Sequence, residues 1–165
     1  MSQIIIVIGL GNEYVALNPH ILNQVASTTS TFSTTTVGAL LEQVQAASKT
    51  TTIYTASSSV KAYIVDTDEA REKGLSGSEQ LLPGVGMLFV FDNPGKYGFW
   101  MKDMKYPIDI IWINAEKRVV GVTKNVLPSS YPFVFMPPAP VKYVLEMATS
   151  SVGVFGLTTG STLTF

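Results

Sequence analysis

The sequence predicts a mainly β fold: a small antiparallel sandwich or partly closed barrel with one or two short helices, preceded by a Ser/Thr-rich N-terminal region. Three observations carry this expectation. From residue 60 onward, short apolar runs rich in β-branched and aromatic residues recur at close spacing, and Gly, Pro, Asn and Asp separate them as turn formers. Ahead of them lie Ser/Thr-dominated tracts, which cannot bury enough apolar surface to offset the entropy of ordering the chain. With 46% hydrophobic and 14% charged residues in a length of 165, the chain has material for one core and an appendage.

Three segments follow from this reading: residues 1–22, 23–59 and 60–165. The apolar run at 4–10 (IIIVIGL) admits three readings, a degraded membrane anchor or signal, a strand of an extra layer, or an unstructured end. A spanning helix needs roughly 20 mostly apolar residues, and 4–22 reaches that only by including Asn12, Glu13, Asn18, Pro19 and His20. No Lys or Arg precedes the run, so the basic flank of a secretory signal is missing. Residues 7–12 (VIGLGN), with His20, are similar to the opening of peptidyl-tRNA hydrolase, but the Pro-Gly after the Asn is absent and nothing downstream supports that enzyme. Residues 23–59 read as a linker, with Val37, Leu40, Leu41 and Val44 on one face of a short helix capped by Thr36.

Within 60–165, residues 60–65 read as a strand, followed by a two-turn helix. Asp66 and Glu69 supply its N-terminal box, Glu69 and Lys73 an i, i+4 pair, and Gly74 its stop. Residues 76–83 read as a turn with a second helical turn, 87–91 as a strand, and Asp92-Asn-Pro-Gly95 as a turn. Further strands are expected at 97–102, 108–113, 118–124 and 142–146, with a hairpin connection at 114–117. The five prolines of 127–140 forbid a central strand there, so that stretch is expected as an ordered loop over the sheet, anchored by Tyr131, Phe133, Val134 and Phe135.

Several separated stretches, in order, carry a resemblance to a known family: Asp66-Thr67 with Arg71 and Gly74-Leu-Ser-Gly77, Gly86-Met-Leu-Phe-Val-Phe91, Phe99-Trp-Met-Lys-Asp-Met104, Pro107-Ile-Asp-Ile-Ile-Trp112, Tyr131-Pro132 and Pro140-Val-Lys-Tyr-Val-Leu-Glu146. Together they resemble the prokaryotic domain-of-unknown-function family 192, from about Val60 to Phe165. The resemblance implies a small β-rich domain, often behind a signal or membrane anchor, with no established activity and no catalytic residue to carry over. The family's usual C-terminal end departs here into Ala148-Thr-Ser-Ser-Val-Gly-Val-Phe155 and Gly160-Ser-Thr-Leu-Thr-Phe165, which leaves the last helix open.

A net charge of -1 gives no electrostatic footprint for phosphate backbones, so no nucleic acid partner is expected. The absence of Cys and the single His remove thiolate chemistry and leave little from which to build a metal site or a Ser-His-Asp triad; no cofactor is implied. The residues on which a site would rest are Trp100, Lys102, Asp109, Tyr131 and Glu146. Strand alternation sets Trp100 and Lys102 on one face, and Asp109 with Ile111 and Ile113 away from Ile110 and Trp112. Asp109, embedded among isoleucines, needs donors; Lys102 or the amides of 104–107 are the expected ones. The expectation is an extracytoplasmic module of the cell envelope or secreted space, tethered at its N-terminus, that binds a small molecule, glycan or envelope component beside Trp100, Lys102 and the 131–140 loop. A hydrolase using Asp109 and Glu146 as a carboxylate pair, and a purely structural domain, are the alternatives.

Overall fold

The computed structural model describes residues 7–10, 13–16 and 49–165. Of the N-terminal unit it describes one antiparallel pairing, β1 (Val7–Leu10) with β2 (Glu13–Ala16). The expected helix at 37–44 and the Ser/Thr tract at 27–36 lie outside the described residues, as does the rest of 1–22. Among the described residues no helix is long and apolar enough to cross a membrane.

Residues 49–165 are mainly β: six strands form one mixed sheet, with two short helices. The strands are β3 (Thr50–Tyr54), β4 (Ser59–Val65), β5 (Val85–Gly95), β6 (Ile108–Ile113), β7 (Val119–Val126) and β8 (Val141–Ala148), in the spatial order β3-β4-β5-β8-β6-β7. Neighbours are antiparallel except β4 and β5, which run parallel. A parallel pair cannot be joined by a tight turn. The chain between β4 and β5 is therefore a crossover, and it contains the helix α1 (Asp68–Lys73).

Several local expectations are corrected. The 49–59 stretch, expected as linker, holds β3, because threonines suit an exposed edge strand and one apolar side chain, the fully buried Ile53, is enough to seat it. The N-cap of α1 is Thr67, whose hydroxyl accepts from the Ala70 amide, while Asp66 pairs with Lys49 at 2.6 Å and ties the start of β3 to the end of β4. Arg71 pairs with Asp68 rather than Lys73 with Glu69. Gly74 ends the helix at φ 46°, as expected. Residues 76–83 form no helix, β5 runs on through Asp92–Gly95, and 97–102 is no strand, making only the Phe99–Phe135 bridge.

Both faces of the sheet are covered. On one, Ile53, Val60, Leu88, Ile111, Leu145 and Met147 pack against α2 (Ser151–Val154) and the C-terminal residues Leu157 and Leu163. On the other, Phe89, Ile108, Ile110, Trp112 and Val144 lie under the 96–107 segment, which contributes Met101 and Tyr106, and under Phe135 of the 127–140 loop. That loop approaches so closely that a Cβ at Gly121 would stand 2.8 Å from Pro138, so only glycine fits there.

The sheet is open, but its ends are bridged. Thr164 exchanges backbone hydrogen bonds with Tyr54 beside one edge, while Ser161 and Leu163 bond the Lys117–Val119 corner beside the other. Lys117 donates to the Phe165 carbonyl and sits 4.5 Å from its ring centroid. Leu163 plugs the space between. Leu163→Ala is expected to cost about 2–5 kcal/mol, read as a lowered urea midpoint with an unchanged slope.

Candidate functional site

The pairing of β6 with β8 sets Asp109 opposite Met147 and Ile110 opposite Glu146. Residues directly opposite in a ladder share a face, and successive residues alternate. Asp109 and Glu146 therefore project from opposite faces of the sheet. Asp109 and Glu146 form no carboxylate pair, and the register excludes the arrangement expected of them for glycoside hydrolysis.

Asp109 is 1% exposed and held by two backbone amides. Its Oδ1 accepts from Asn125 N at 2.8 Å and its Oδ2 from Val152 N at 3.2 Å. Both amides need it. Asn125 sits at φ 50° where the β6–β7 register shifts, and α2 begins at Ser150 (φ 71°), which gives the helix no side-chain cap. Asp109 thus supplies from a neighbouring strand the acceptor that α2 lacks locally. Neither Lys102 nor the 104–107 bend contributes, because both lie with the segment covering the other face.

Glu146 has the opposite surroundings. It is 5% exposed, makes no hydrogen bond or ion pair with another described residue, and reaches the floor of a cleft of about 340 Å³. Arg71, Gly74 and Leu75 form one side of that cleft, and Tyr97, Phe99 and Trp100 the other, with Phe89 and Phe91 of β5 between them. Burial alone pushes the Glu146 carboxyl up to about 8. At neutral pH it is a protonated acid in an aromatic hollow.

The walls are fixed by sequence-local chemistry. Phe99 exchanges backbone hydrogen bonds with Phe135 and meets Phe89 and Trp112 edge to face, at 4.8 and 5.6 Å between centroids. Phe91 and Tyr97 stack at 3.6 Å. Arg71 donates to the Val90 carbonyl and to Asp68, and lies 5.3 Å from the Phe91 centroid, so α1 is clamped to β5. The 96–107 segment is pinned to the turn after α1 by Ser76 Oγ donating to the Lys102 carbonyl, Gly77 N to the Asp103 carbonyl, and a 2.8 Å hydrogen bond between Ser78 Oγ and Tyr106 Oη.

Of the residues singled out from the sequence, the structure brings Trp100 and Glu146 to one cleft. Trp100 is 50% exposed and also walls a second hollow, of about 330 Å³, on which Lys102 lies with Glu69, Glu72, Lys73, Ser76 and Asp103. Asp109 is in the core of the opposite face, and Tyr131, in a cis bond to Pro132, is exposed on a loop that lines neither hollow. Sequence reasoning did not assign Arg71, Phe91, Tyr97 or Phe99 to a site. Arg71, Phe91 and Phe99 stand inside the family-like stretches, and their joint occurrence there was the available signal.

The fold and cleft define a mainly β, single-sheet domain with an aromatic hollow under a crossover helix. The chain belongs to the DUF192 family, described as Uncharacterized ACR, whose model matches residues 49–165. Among solved structures it is similar to "a putative transcription regulator" from Sinorhizobium meliloti 1021, at 28% identity and a TM-score of 0.63, over 68% of this chain and 89% of that one. A protein of unknown function from Novosphingobium aromaticivorans DSM 12444 shares the fold, at 24% identity and a TM-score of 0.64, over 70% and 84% of the two chains. No curated protein matches.

Two outcomes follow from the contrasting carboxylates. Asp109→Asn keeps the shape but turns one of the two acceptor oxygens into a donor, so one amide loses its partner and a loss of about 1–3 kcal/mol is expected, with faster amide exchange at Asn125 or Val152. For Glu146 the folded state holds a proton that the unfolded chain releases above its ordinary value of 4.5, so the contribution is full at acid pH and is lost as pH rises towards about 8. Glu146→Gln removes this dependence. The variant should gain stability over the parent, on the order of a few kcal/mol, when denaturation at about pH 9 is compared with about pH 4.

Proposed function

We propose that this domain binds a small molecule in the cleft floored by Glu146. The observation that carries the reading is the Glu146 carboxyl group, 5% exposed and bonded by no other described residue, which lines an open aromatic hollow. Burial disfavours the charged form of this group, and a core position on a central strand has apolar alternatives of the same length. The half-exposed indole of Trp100 supports the same reading, since a large aromatic side chain at the rim offers a flat apolar face to a sugar ring or other planar group. A station at the cell envelope belongs to the proposal as well, on the strength of the apolar run at 4–10; recovery of the full-length chain in the soluble cytoplasmic fraction would overturn that part.

A fragment screen read by amide chemical shifts tests the site. Ligands should perturb amides of Phe89, Phe91, Phe99 and Glu146, and Trp100→Ala should weaken them by roughly tenfold, the worth of a lost aromatic contact of about 1 kcal/mol or somewhat more, while leaving the urea midpoint unchanged. Shifts confined to residues outside the cleft would overturn the assignment.

A further inference from the structure

We infer that the ligand of this cleft is an organic cation, a primary or quaternary ammonium group seated over Glu146 between the aromatic walls. The inference rests on the small-molecule reading above and deepens it. Two chemical features converge at one point. The floor is a carboxyl group that, among the described residues, no cation or amide serves, on a face where the neighbouring strands place only Met87 and Ile110 beside it. Lining the same cleft are Phe89, Tyr97, Phe99 and Trp100, whose ring quadrupoles attract positive charge at low desolvation cost. The wall already shows this preference, since the Arg71 guanidinium lies over Phe91.

The other charges of the cleft do not fill the role. Arg71 is committed to Asp68 and to the Val90 carbonyl, and Glu72 and Lys73 of the same helix make no ion pair with Glu146. Tyr97 donates its hydroxyl to the Asn93 carbonyl, and Tyr106 shares a hydrogen bond with Ser78. Burial raises the Tyr106 phenol, the Ser78 hydrogen bond works against that rise, and the negative charge of Glu146 adds to it. A neutral ligand would leave Glu146 protonated and meet it as a hydrogen-bond donor. A cation would instead draw off the proton and form a desolvated ion pair inside the aromatic wall, the stronger of the two interactions.

The test uses the full chain, with choline and benzylamine as probes and their uncharged counterparts, the carbon isostere of choline and benzyl alcohol, followed by amide shifts in the cleft. The cations should bind at least about tenfold more tightly, and Glu146→Gln should abolish that preference while retaining the weak affinity for the uncharged pair. Choline carries a fixed charge, so only the protein titrates: proton competition makes its affinity rise roughly tenfold per pH unit up to about pH 8 and level off above it. Equal binding of charged and uncharged probes, or an affinity that falls as pH rises through that range, overturns the cation and leaves the binding site standing. The cation falls in the same way if neither probe binds but screened fragments of other chemistry enter the cleft. If no fragment of any kind enters it, both readings fall.

Discussion

The antiparallel pairing of β6 with β8, at the centre of the domain, is the constraint on which the rest depends. Its register puts Ile110 across from Glu146 and Asp109 across from Met147, and a slip of one residue would exchange the two carboxylates between faces. On the face of Asp109, two backbone amides left over from a bulge and a helix start are waiting for an acceptor. On the face of Glu146 there are rings and a cleft. The apolar residues around both carboxylates hold the register, because all six residues of β6 are buried and its five apolar ones belong to the two packed layers.

The covering layer over the Glu146 face is not built from sheet. Residues 96–107 follow the long strand β5 and return across it as a segment fixed by side chain to backbone bonds from Ser76 and by the Phe99–Phe135 exchange. This permits alternation without a strand: Phe99 and Met101 turn inward while Trp100 and Lys102 stay exposed. A β-strand at the same place would have satisfied its backbone along a ladder and closed over β5. The segment instead stands off from α1 and leaves the hollow between them.

How far the sequence reveals this arrangement differs from residue to residue. The alternation of 99–102 and the face of Asp109 were legible, since both depend on a period of two that runs along the chain. The mainly β character was legible from the recurrence of short β-branched runs. What Asp109 bonds was not, because Asn125 and Val152 are brought to it by a bulge and a chain reversal that sit 16 and 43 residues away. Nor was the separation of Asp109 from Glu146, which depends on a register between two strands and not on the pattern within either. β3 was hidden because Ser/Thr content reads the same in a linker and in an edge strand; its one decisive residue, Ile53, reveals itself only by its burial. The helix α1 was legible from its terminal glycine, although the charge pairs that form there are not the expected ones, and the parallel direction of β4 and β5 on either side of it depends on which strands pair, which no local pattern encodes.

The two buried acids show why burial alone does not identify a functional group. Both lie in the sheet's interior rows with similar access to water, yet one accepts two hydrogen bonds and the other none. Asp109 holds a bulge and a helix together, and its interactions are complete without any other molecule. Glu146 is raised by burial alone, so whatever supplies it with a counter-charge or an acceptor gains a free energy that the protein has not already used. Substituting Glu146 by a non-ionisable side chain would relieve the domain of a buried acid, and that relief is available to any sequence of this fold. Its presence in a cleft with Trp100 at the rim is the observation on which the proposed binding role rests.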